Sequence, residues 1–246
     1  AMAQNHYADF VGGVAGYNAG TIRWTQTAAV STLLHGGSFV GGVVGFNDAG
    51  AAITVADSAT LTVSGRIAGV QDAVGGLAGL NSGTALPAVT VKTERISGRY
   101  CVGGVLGANV VATSMTADKL CTDGSGNSLQ ATALAGGIVG YNQVIAAIPT
   151  ESNTITRAKL LLPVVNDASG ILTVTGQDSG TATVTLNDSA NALNLTADAY
   201  VGGVVGFSDG TVTDCYNVGS VTGKENVGGV VGYNGYGTSA VTDCYN

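Results

Sequence analysis

The chain of 246 residues is rich in glycine (39 residues) and in hydrophobic side chains (45%), has few charged residues (10%) and carries a formal net charge of −7. Because no basic cluster is present to neutralise phosphates, we expect no binding to nucleic acid or to anionic membranes. No apolar stretch reaches the length of a membrane-spanning helix, so we expect no membrane insertion. The apolar content argues against disorder, and the glycine spacing argues against collagen.

A glycine-rich phrase recurs seven times along the chain. The first copy, VGGVAGYN, begins at Val11, and the last copy, VGGVVGYN, begins at Val227. Each copy contains a glycine pair, and these pairs are Gly12 and Gly13, Gly41 and Gly42, Gly75 and Gly76, Gly103 and Gly104, Gly136 and Gly137, Gly202 and Gly203, and Gly228 and Gly229. A period of about 30 residues is typical of repeat proteins, in which each unit buries its apolar face against the next.

The longest interval between glycine pairs, from Gly136 to Gly202, is about twice the usual period. It predicts a degenerate repeat with a remnant at Ser169–Gly176, and about eight repeats in all. We interpret residues 1–246 as a single β-solenoid fragment of a longer repeat protein, in which 143–199 is a degenerate repeat or an inserted loop region. Because specific binding needs a departure from the repeat, we expect any ligand site in 143–199.

The unit between Tyr200 and Val227 predicts the fold. Short apolar or alternating runs at Val201–Phe207, Thr211–Tyr216 and Ser220–Thr222 are separated by turns rich in Gly, Asp and Asn. Three short strands per repeat predict an all-β, right-handed parallel β-helix of about eight coils. A β-sandwich or barrel also suits short strands, but it does not explain a strand that recurs at the length of one coil.

Alternation within the second copy of the phrase predicts two faces of a strand. The inward face would hold Val40, Gly42, Val44 and Phe46, and the outward face Gly41, Val43, Gly45 and Asn47. The outward, glycine-rich face would let two backbone layers approach closely or would form a docking surface. The asparagines that end the copies are expected to form a stacked ladder, and these are Asn18, Asn47, Asn81, Asn109, Asn142 and Asn234.

The cysteines Cys215 and Cys244 occupy the same position in two copies of the segment TDCYN. On adjacent coils they would lie close enough for a disulfide, or they would form a ladder of reduced, buried thiols. No pairing can be derived for Cys101 and Cys121. The cysteine spacings do not match those of a zinc site, and only His6 and His35 could serve as further ligands. Neither histidine has a serine or cysteine at the spacing of a catalytic triad.

The acidic residues are mostly isolated turn residues, among them Asp48, Asp57, Asp72, Asp123, Asp188 and Asp209. Stacked Asp214 and Asp243 would suit glycoside hydrolysis if paired, but their place in a repeat favours turn hydrogen bonds. The segment Asp123–Asn127 is similar to half of a calcium loop but lacks the bidentate glutamate, which favours a plain turn. We therefore predict no catalytic residues, no metal site and no cofactor.

The segment VGGVVGFSDGTVTDCYNVGSVTGKENVGGVVGYN resembles the GLUG motif, a glycine-rich repeat of bacterial surface and secreted proteins. The resemblance is close from Val201 to Asn246, and the earlier copies share only the glycine phrase. It implies a secreted or cell-surface location and a structural or adhesive role, with a host glycan or matrix protein as partner. In IgA-specific peptidases such repeats accompany the catalytic domain, so the resemblance transfers no catalytic residues.

The expected function is therefore a non-catalytic adhesive module or stiff stalk, a monomer that continues into further repeats. The alternative is a fragment of a polysaccharide- or protein-cleaving enzyme, with a carboxylate site on one face of the β-helix. An ice-binding surface of Thr-x-Thr runs is less favoured because these runs are irregularly spaced.

Overall fold

A computed structural model describes residues 7–124, 126–166, 173–175, 182–235 and 239–246. Strands account for 56% of the chain and helix for 3%. Successive copies of the glycine-rich phrase pair in parallel and in register, and the first position of the phrase runs through Val11, Val40, Val74, Val102, Ala135, Val201 and Val227. The fold is a parallel β-helix, as predicted. Its right-handed turn stays a prediction.

Two seven-stranded parallel sheets contain the phrase. The doublet sheet consists of Val11–Gly12, Val40–Gly41, Val74–Gly75, Tyr100–Gly103, Ala133–Gly136, Ala199–Gly202 and Glu225–Gly228. The asparagine sheet consists of Ala15–Asn18, Val44–Asn47, Ala78–Asn81, Leu106–Val111, Val139–Val144, Val205–Ser208 and Val231–Asn234. The phrase forms two strands in each coil because the chain bends at the glycine pair.

The remaining strands complete the coils. The long sheet consists of Ala28–Gly36, Leu61–Gly69, Val89–Ser97, Leu120–Thr122, Ser128–Gln130, Ala190–Asn191, Asn194–Thr196, Tyr216–Asn217 and Val221–Thr222. A four-stranded sheet is formed by Met115–Asp118, Val184–Asn187, Thr211–Thr213 and Ala240–Thr242, and a two-stranded sheet by Thr21–Trp24 and Ala52–Val55. The described coils thus contain three to five strands each, rather than a uniform three.

The described residues form seven rungs instead of about eight. The strands Ala133–Gly136 and Ala199–Gly202 pair directly, so no additional rung lies between them. The extra length lies in residues 145–183. The described part of this segment (145–166, 173–175 and 182–183) is here called the strap, and it contains the helix Thr154–Leu160 and an antiparallel pair, Val164–Asn166 with Thr173–Thr175. The expected remnant Ser169–Gly176 overlaps this antiparallel pair at Thr173–Thr175 and otherwise lies outside the described residues.

The interior of the coils is lined by aliphatic side chains from all the parallel sheets. Val40, Val43 and Val44 are all fully buried there, in one cluster with residues of the long sheet such as Val63 and Ile67. The predicted alternation was therefore wrong at Val43, which points inward. The bend at the glycine pair resets the alternation, so residues on both sides of the bend reach the same core.

A second apolar cluster lies on the outer face of the doublet and asparagine sheets. Phe39 and Phe46 belong to it together with Ala158 and Leu161, which are in or directly after the strap helix. Because this helix lies outside the coils, these aromatic rings point outward. The expectation that Phe46 shares the inward face with Val40 was wrong for a second reason: Val44, which also follows the bend, lies in the inner cluster, so the sides of the strand change again at Gly45, between Val44 and Phe46.

Each coil turns into the doublet sheet at a residue with a left-handed backbone. The φ angles of these corner residues lie between 51° and 61°, and the residues are Phe10, Phe39, Ala73, Cys101, Leu134, Tyr200 and Asn226. None is glycine, although this conformation costs a residue with a Cβ about 1–2 kcal/mol. Six of the seven belong to the outer cluster or pack against it, which offsets that cost.

The glycine pairs permit close backbone packing between rungs. A Cβ on Gly42 would overlap the carbonyl oxygen of Gly76, and a Cβ on Gly104 would overlap that of Gly137. Larger residues at these positions would force neighbouring rungs apart.

In the described part of the chain, no helix has the length and apolar character needed to cross a bilayer.

Candidate functional site

A buried amide ladder runs through the first five rungs of the asparagine sheet. Each side chain donates from Nδ2 to Oδ1 of the next, over 2.7 to 2.9 Å, and the members are Asn18, Asn47, Asn81, Asn109 and Asn142. This confirms the predicted ladder for these five residues. Ser208 occupies the sixth rung, and Asn234 pairs with it on the seventh.

The strap returns from the fifth rung to the first two rungs. Its helix is capped by Asn153, whose side chain accepts hydrogen bonds from the backbone N–H groups of Ile155 and Thr156, over 3.0 and 3.2 Å. A side chain at this position satisfies N–H groups that a helix otherwise leaves without partners. The cap thereby fixes where the helix starts and places Arg157 over the coils.

Arg157 fastens the strap to the coils. Its guanidinium pairs with the Asp48 carboxylate and donates to the Tyr17 hydroxyl over 3.1 Å, while that hydroxyl donates to Asp48. The Arg157 and Asp48 side chains are only 20% and 9% exposed. Removing one partner from such a shielded pair leaves a charge without compensation. No sequence pattern marks this contact, because Arg157 and Asp48 are 109 residues apart.

The strap covers a row of outward side chains that stack along the asparagine sheet. The row, one residue per rung, is Tyr17, Phe46, Leu80, Ala108, Tyr141, Phe207 and Tyr233. Neighbouring aromatic rings have centroids 5.7 Å apart for Tyr17 and Phe46, 5.3 Å for Tyr141 and Phe207, and 5.1 Å for Phe207 and Tyr233. The interior members are fully buried, whereas Tyr17 and Tyr233 at the ends are 39% and 36% exposed.

Asp72 lies in a small cavity between the coils and the strap. The cavity has a volume of about 130 Å³ and is lined by Asp72, Arg99, Tyr100, Cys101, Leu162, Pro163 and Val165. Burial raises the pKa of the Asp72 carboxyl, against the opposing effect of Arg99. Its Oδ1 is buried without a hydrogen-bond partner. A carboxyl with a raised pKa is suited to proton donation.

The other predicted carboxylates are engaged separately. Asp209 accepts a hydrogen bond from the Gln143 side chain, and burial raises the pKa of the Asp209 carboxyl. Asp57 is an exposed turn residue, and Asp188 has a left-handed backbone with φ of 45°. Asp214 and Asp243 follow strands on adjacent rungs and are exposed, each with φ of 51°. Their position at a corner fits the predicted structural role in a turn.

The segment Asp123–Asn127 forms a turn in its described part. The backbone N–H of Asn127 donates to the carbonyl of Gly124 over 2.9 Å. The Asp123 carboxylate pairs with the Lys92 ammonium group over 2.8 Å. Ser125 lies outside the described residues. Among the described residues, no group of three or more His, Cys, Asp or Glu side chains is placed to hold a metal ion.

Cys215 and Cys244 lie on adjacent rungs, as their spacing predicted, since their neighbours Thr213 and Thr242 pair in register. Both carry free thiols. The Cys215 thiol donates to the Thr213 carbonyl over 3.0 Å, and the Cys244 thiol to the Thr242 carbonyl over 3.1 Å. Burial raises the pKa of Cys215 to about 12. Cys215 is buried and Cys244 is partly exposed, and the choice between a disulfide and a ladder of reduced thiols stays a prediction.

The remaining predicted residues lie apart from one another. Burial also raises the pKa of the Cys101 thiol, which lies in the outer cluster. Cys121 lies on the long sheet, beside Thr90 and Ala190. His35 is exposed and its ring lies 4.5 Å from that of Tyr7, whereas His6 lies outside the described residues.

The stacked coils and amide ladder define a parallel β-helix repeat module. Residues 197–222 match the family model of the GLUG motif, a span that corresponds to one coil. The chain thus carries a GLUG motif, as the sequence resemblance indicated. No curated protein and no solved structure matches the chain.

Proposed function

We propose that the chain is a non-catalytic β-helix module of a bacterial surface or secreted protein, where it serves as a stiff stalk and binds host protein or glycan. The observation that carries the proposal is the in-register stack of seven rungs, reinforced by the amide ladder from Asn18 to Asn142. The GLUG motif at 197–222 supports the same reading.

Stiffness follows from how the rungs are joined. Each rung donates and accepts backbone hydrogen bonds along the doublet, asparagine and long sheets, so bending the rod would strain several ladders together. The buried amides add side-chain hydrogen bonds parallel to these ladders. A module with this construction can hold a binding surface at a fixed distance and orientation.

The strap leaves one broad surface open for contact. It covers the outer row of the asparagine sheet, including Phe46 and Tyr141, which are fully buried. The outer side of the long sheet has no such cover in the described part of the chain, and Leu33 there is 83% exposed. We therefore assign host contact to the long sheet. The sequence had instead led us to expect a ligand site within residues 143–199.

The test is a binding screen of the immobilised chain against mucin, matrix proteins and an array of glycans. The matched control is Gly104→Val, because a side chain there overlaps the Gly137 carbonyl and disrupts the stack. We expect saturable binding to at least one class by the native chain and its loss in the control. Binding that is equal for both proteins, or absent throughout, would contradict an adhesive role.

One observation favours the alternative of an enzyme. Asp72 combines a raised pKa with a cavity that also contains Arg99 and Tyr100, which is the setting in which a carboxyl can act as a general acid. The test is release of reducing ends from polysaccharides, or of peptides from proteins, by the native chain and by Asp72→Asn. Turnover that is lost in Asp72→Asn would replace the non-catalytic proposal.

A further inference from the structure

The outer side of the long sheet contains an open groove that crosses several rungs. The strands Ala28–Gly36, Leu61–Gly69 and Val89–Ser97 pair side by side. Ser128–Gln130, on the next rung, pairs with the end of Val89–Ser97. One outward row is formed by Leu33, Arg66, Arg95 and Ser128, and a second by His35, Ala68, Ser97 and Gln130. We call the depression along these two rows the basic groove.

The groove consists of two connected depressions. The first, of about 560 Å³, is lined by Leu33, His35, Arg66, Arg95 and neighbouring residues. The second, of about 440 Å³, shares Arg95 and Ser97 with it and extends to Gln130 and Thr132. Since the shared residues join the two, the groove runs along the rod axis across successive rungs.

The shape of the groove depends on a local irregularity of the long strands. Gly65 has φ of 103°, and the pairing register shifts between Thr93 and Arg95 on the neighbouring strand. Such a bulge bends a strand and redirects the side chains that follow it. The residues directly after the irregularity are Arg66 and Arg95, which are the two guanidinium groups of the first depression.

The charge of the groove contrasts with that of the chain. The net charge is −7, yet Arg66, Arg95 and Arg99 all line the groove. Glu94 pairs with Arg66 over 2.7 Å and balances its charge. Arg95 instead donates to the neutral side-chain oxygen of Gln130, and no carboxylate of the described residues forms an ion pair with it. The positive charge of Arg95 is therefore available to an incoming anion.

We propose that the basic groove binds a linear acidic polysaccharide along the rod axis, with a carboxylate or sulfate group on Arg95. This inference rests on the binding function proposed above and names its ligand class. A planar guanidinium binds a carboxylate or sulfate through two parallel hydrogen bonds. Ser97, Gln130 and Thr132 supply donors and acceptors for sugar hydroxyls, and the exposed Leu33 supplies an apolar surface for the sugar ring.

An extended acidic peptide suits the groove less well. Peptides commonly bind sheets by pairing with a free strand edge. Here Leu61–Gly69 pairs with Ala28–Gly36 on one side and Val89–Ser97 on the other, so its backbone is already occupied. A ligand lying over these strands must bind through side chains, as a polysaccharide with hydroxyl and acidic groups can.

The experiment measures binding of polygalacturonate and heparin by titration calorimetry, with neutral dextran and poly-glutamate as comparison ligands. The variant is Arg95→Gln, and the matched control is Arg23→Gln, an exposed arginine on the strand Thr21–Trp24. We expect affinity for an acidic polysaccharide to fall about tenfold or more in Arg95→Gln, the usual effect of losing a charged hydrogen bond, and to be unchanged in Arg23→Gln. Binding should also weaken as salt rises.

Equal affinity of the native chain and Arg95→Gln for both acidic polysaccharides, or no binding of either, would overturn the groove assignment. Poly-glutamate bound as tightly as the polysaccharides would overturn the ligand class. If the groove assignment fails while mucin, a matrix protein or a neutral glycan still binds, the proposed function survives without it. Thermal unfolding of both variants, expected to match that of the native chain, confirms that the rod is intact.

Discussion

Asn142 and Ser208 occupy the same position on adjacent rungs, and between them the amide ladder stops. The Asn142 Nδ2 is buried and has no hydrogen-bond partner, while the Ser208 hydroxyl donates to the carbonyl of Gly210, over 3.3 Å. An unpaired buried donor costs about 1–3 kcal/mol. The ladder therefore contains a defect that a single substitution can repair.

Ser208→Asn should raise the free energy of unfolding by about 1–2 kcal/mol, because the new amide oxygen would accept from Asn142. The local turn suits asparagine, since Asn81 makes the same pair of hydrogen bonds to Gly83 that Ser208 makes to Gly210. Denaturant unfolding measures the change, with Ser208→Ala as the control that leaves the defect. If Ser208→Asn instead lowers the free energy of unfolding, the larger asparagine side chain does not fit at this position and the argument is wrong.

The corner at Lys119 should be improved by glycine. Lys119 has φ of 54° and is exposed, so its side chain contributes little packing to offset the cost of a left-handed backbone. Lys119→Gly should stabilise the chain by about 1 kcal/mol in denaturant unfolding. The control is Thr116→Gly, at an exposed position within the strand Met115–Asp118, which should destabilise because glycine weakens a strand interior. A stabilising effect at both positions would contradict the argument.

The contact between Arg157 and Asp48 should keep the strap packed on the coils without contributing to the stability of the coils themselves. Arg157→Met should increase the rate of proteolytic cleavage within the strap by tenfold or more, because breaking a shielded ion pair costs about 3 kcal/mol. The coils should keep their far-ultraviolet circular dichroism. The exposed pair of Lys224 and Asp198 provides the control, and Lys224→Met should change neither measurement. Unchanged strap cleavage in Arg157→Met would show that apolar packing alone fastens the strap.

Alkaline pH should weaken the fold through its buried thiols. The pKa of Cys215 is about 12 in the folded chain, above its ordinary value of 9.0, because burial disfavours the thiolate. The unfolded chain therefore loses this proton first, so the stability contribution is complete below pH 9 and is lost as pH rises toward 12. Denaturation midpoints between pH 8 and pH 11 should fall less steeply in Cys215→Ala than in the native chain. Parallel pH profiles would contradict this.

The sequence predicted the coil and its stacking well, since both depend on a phrase that recurs at each rung. It predicted the amide ladder for Asn18 to Asn142 because these residues hold one position in that phrase. It failed for Val43, since strict alternation does not survive the bend at Gly41 and Gly42, and for Phe46, since the sides change again between Val44 and Phe46. No sequence signal marked the corners, where Phe39 and Cys101 adopt a conformation usually associated with glycine or asparagine.

The strap contact and the basic groove could not be predicted, because both depend on distant residues brought together by folding. Arg157 reaches Asp48 across 109 positions of the chain. Arg66 and Arg95 pair on adjacent rungs, directly after a shift in the pairing register of their strands. The spacing of the glycine-rich phrase does not indicate where such a shift occurs.

The left-handed corners make the rod tolerant of change along one line. Phenylalanine, alanine, cysteine, leucine, tyrosine and asparagine all occupy this position, yet the backbone turns in the same way each time. The coil thus separates the shape of the turn from the identity of the residue that makes it. Phe39, Ala73, Cys101 and Leu134 are all buried in the outer cluster, so the residue at this position can vary with what packs against it while the pairing register between rungs stays the same.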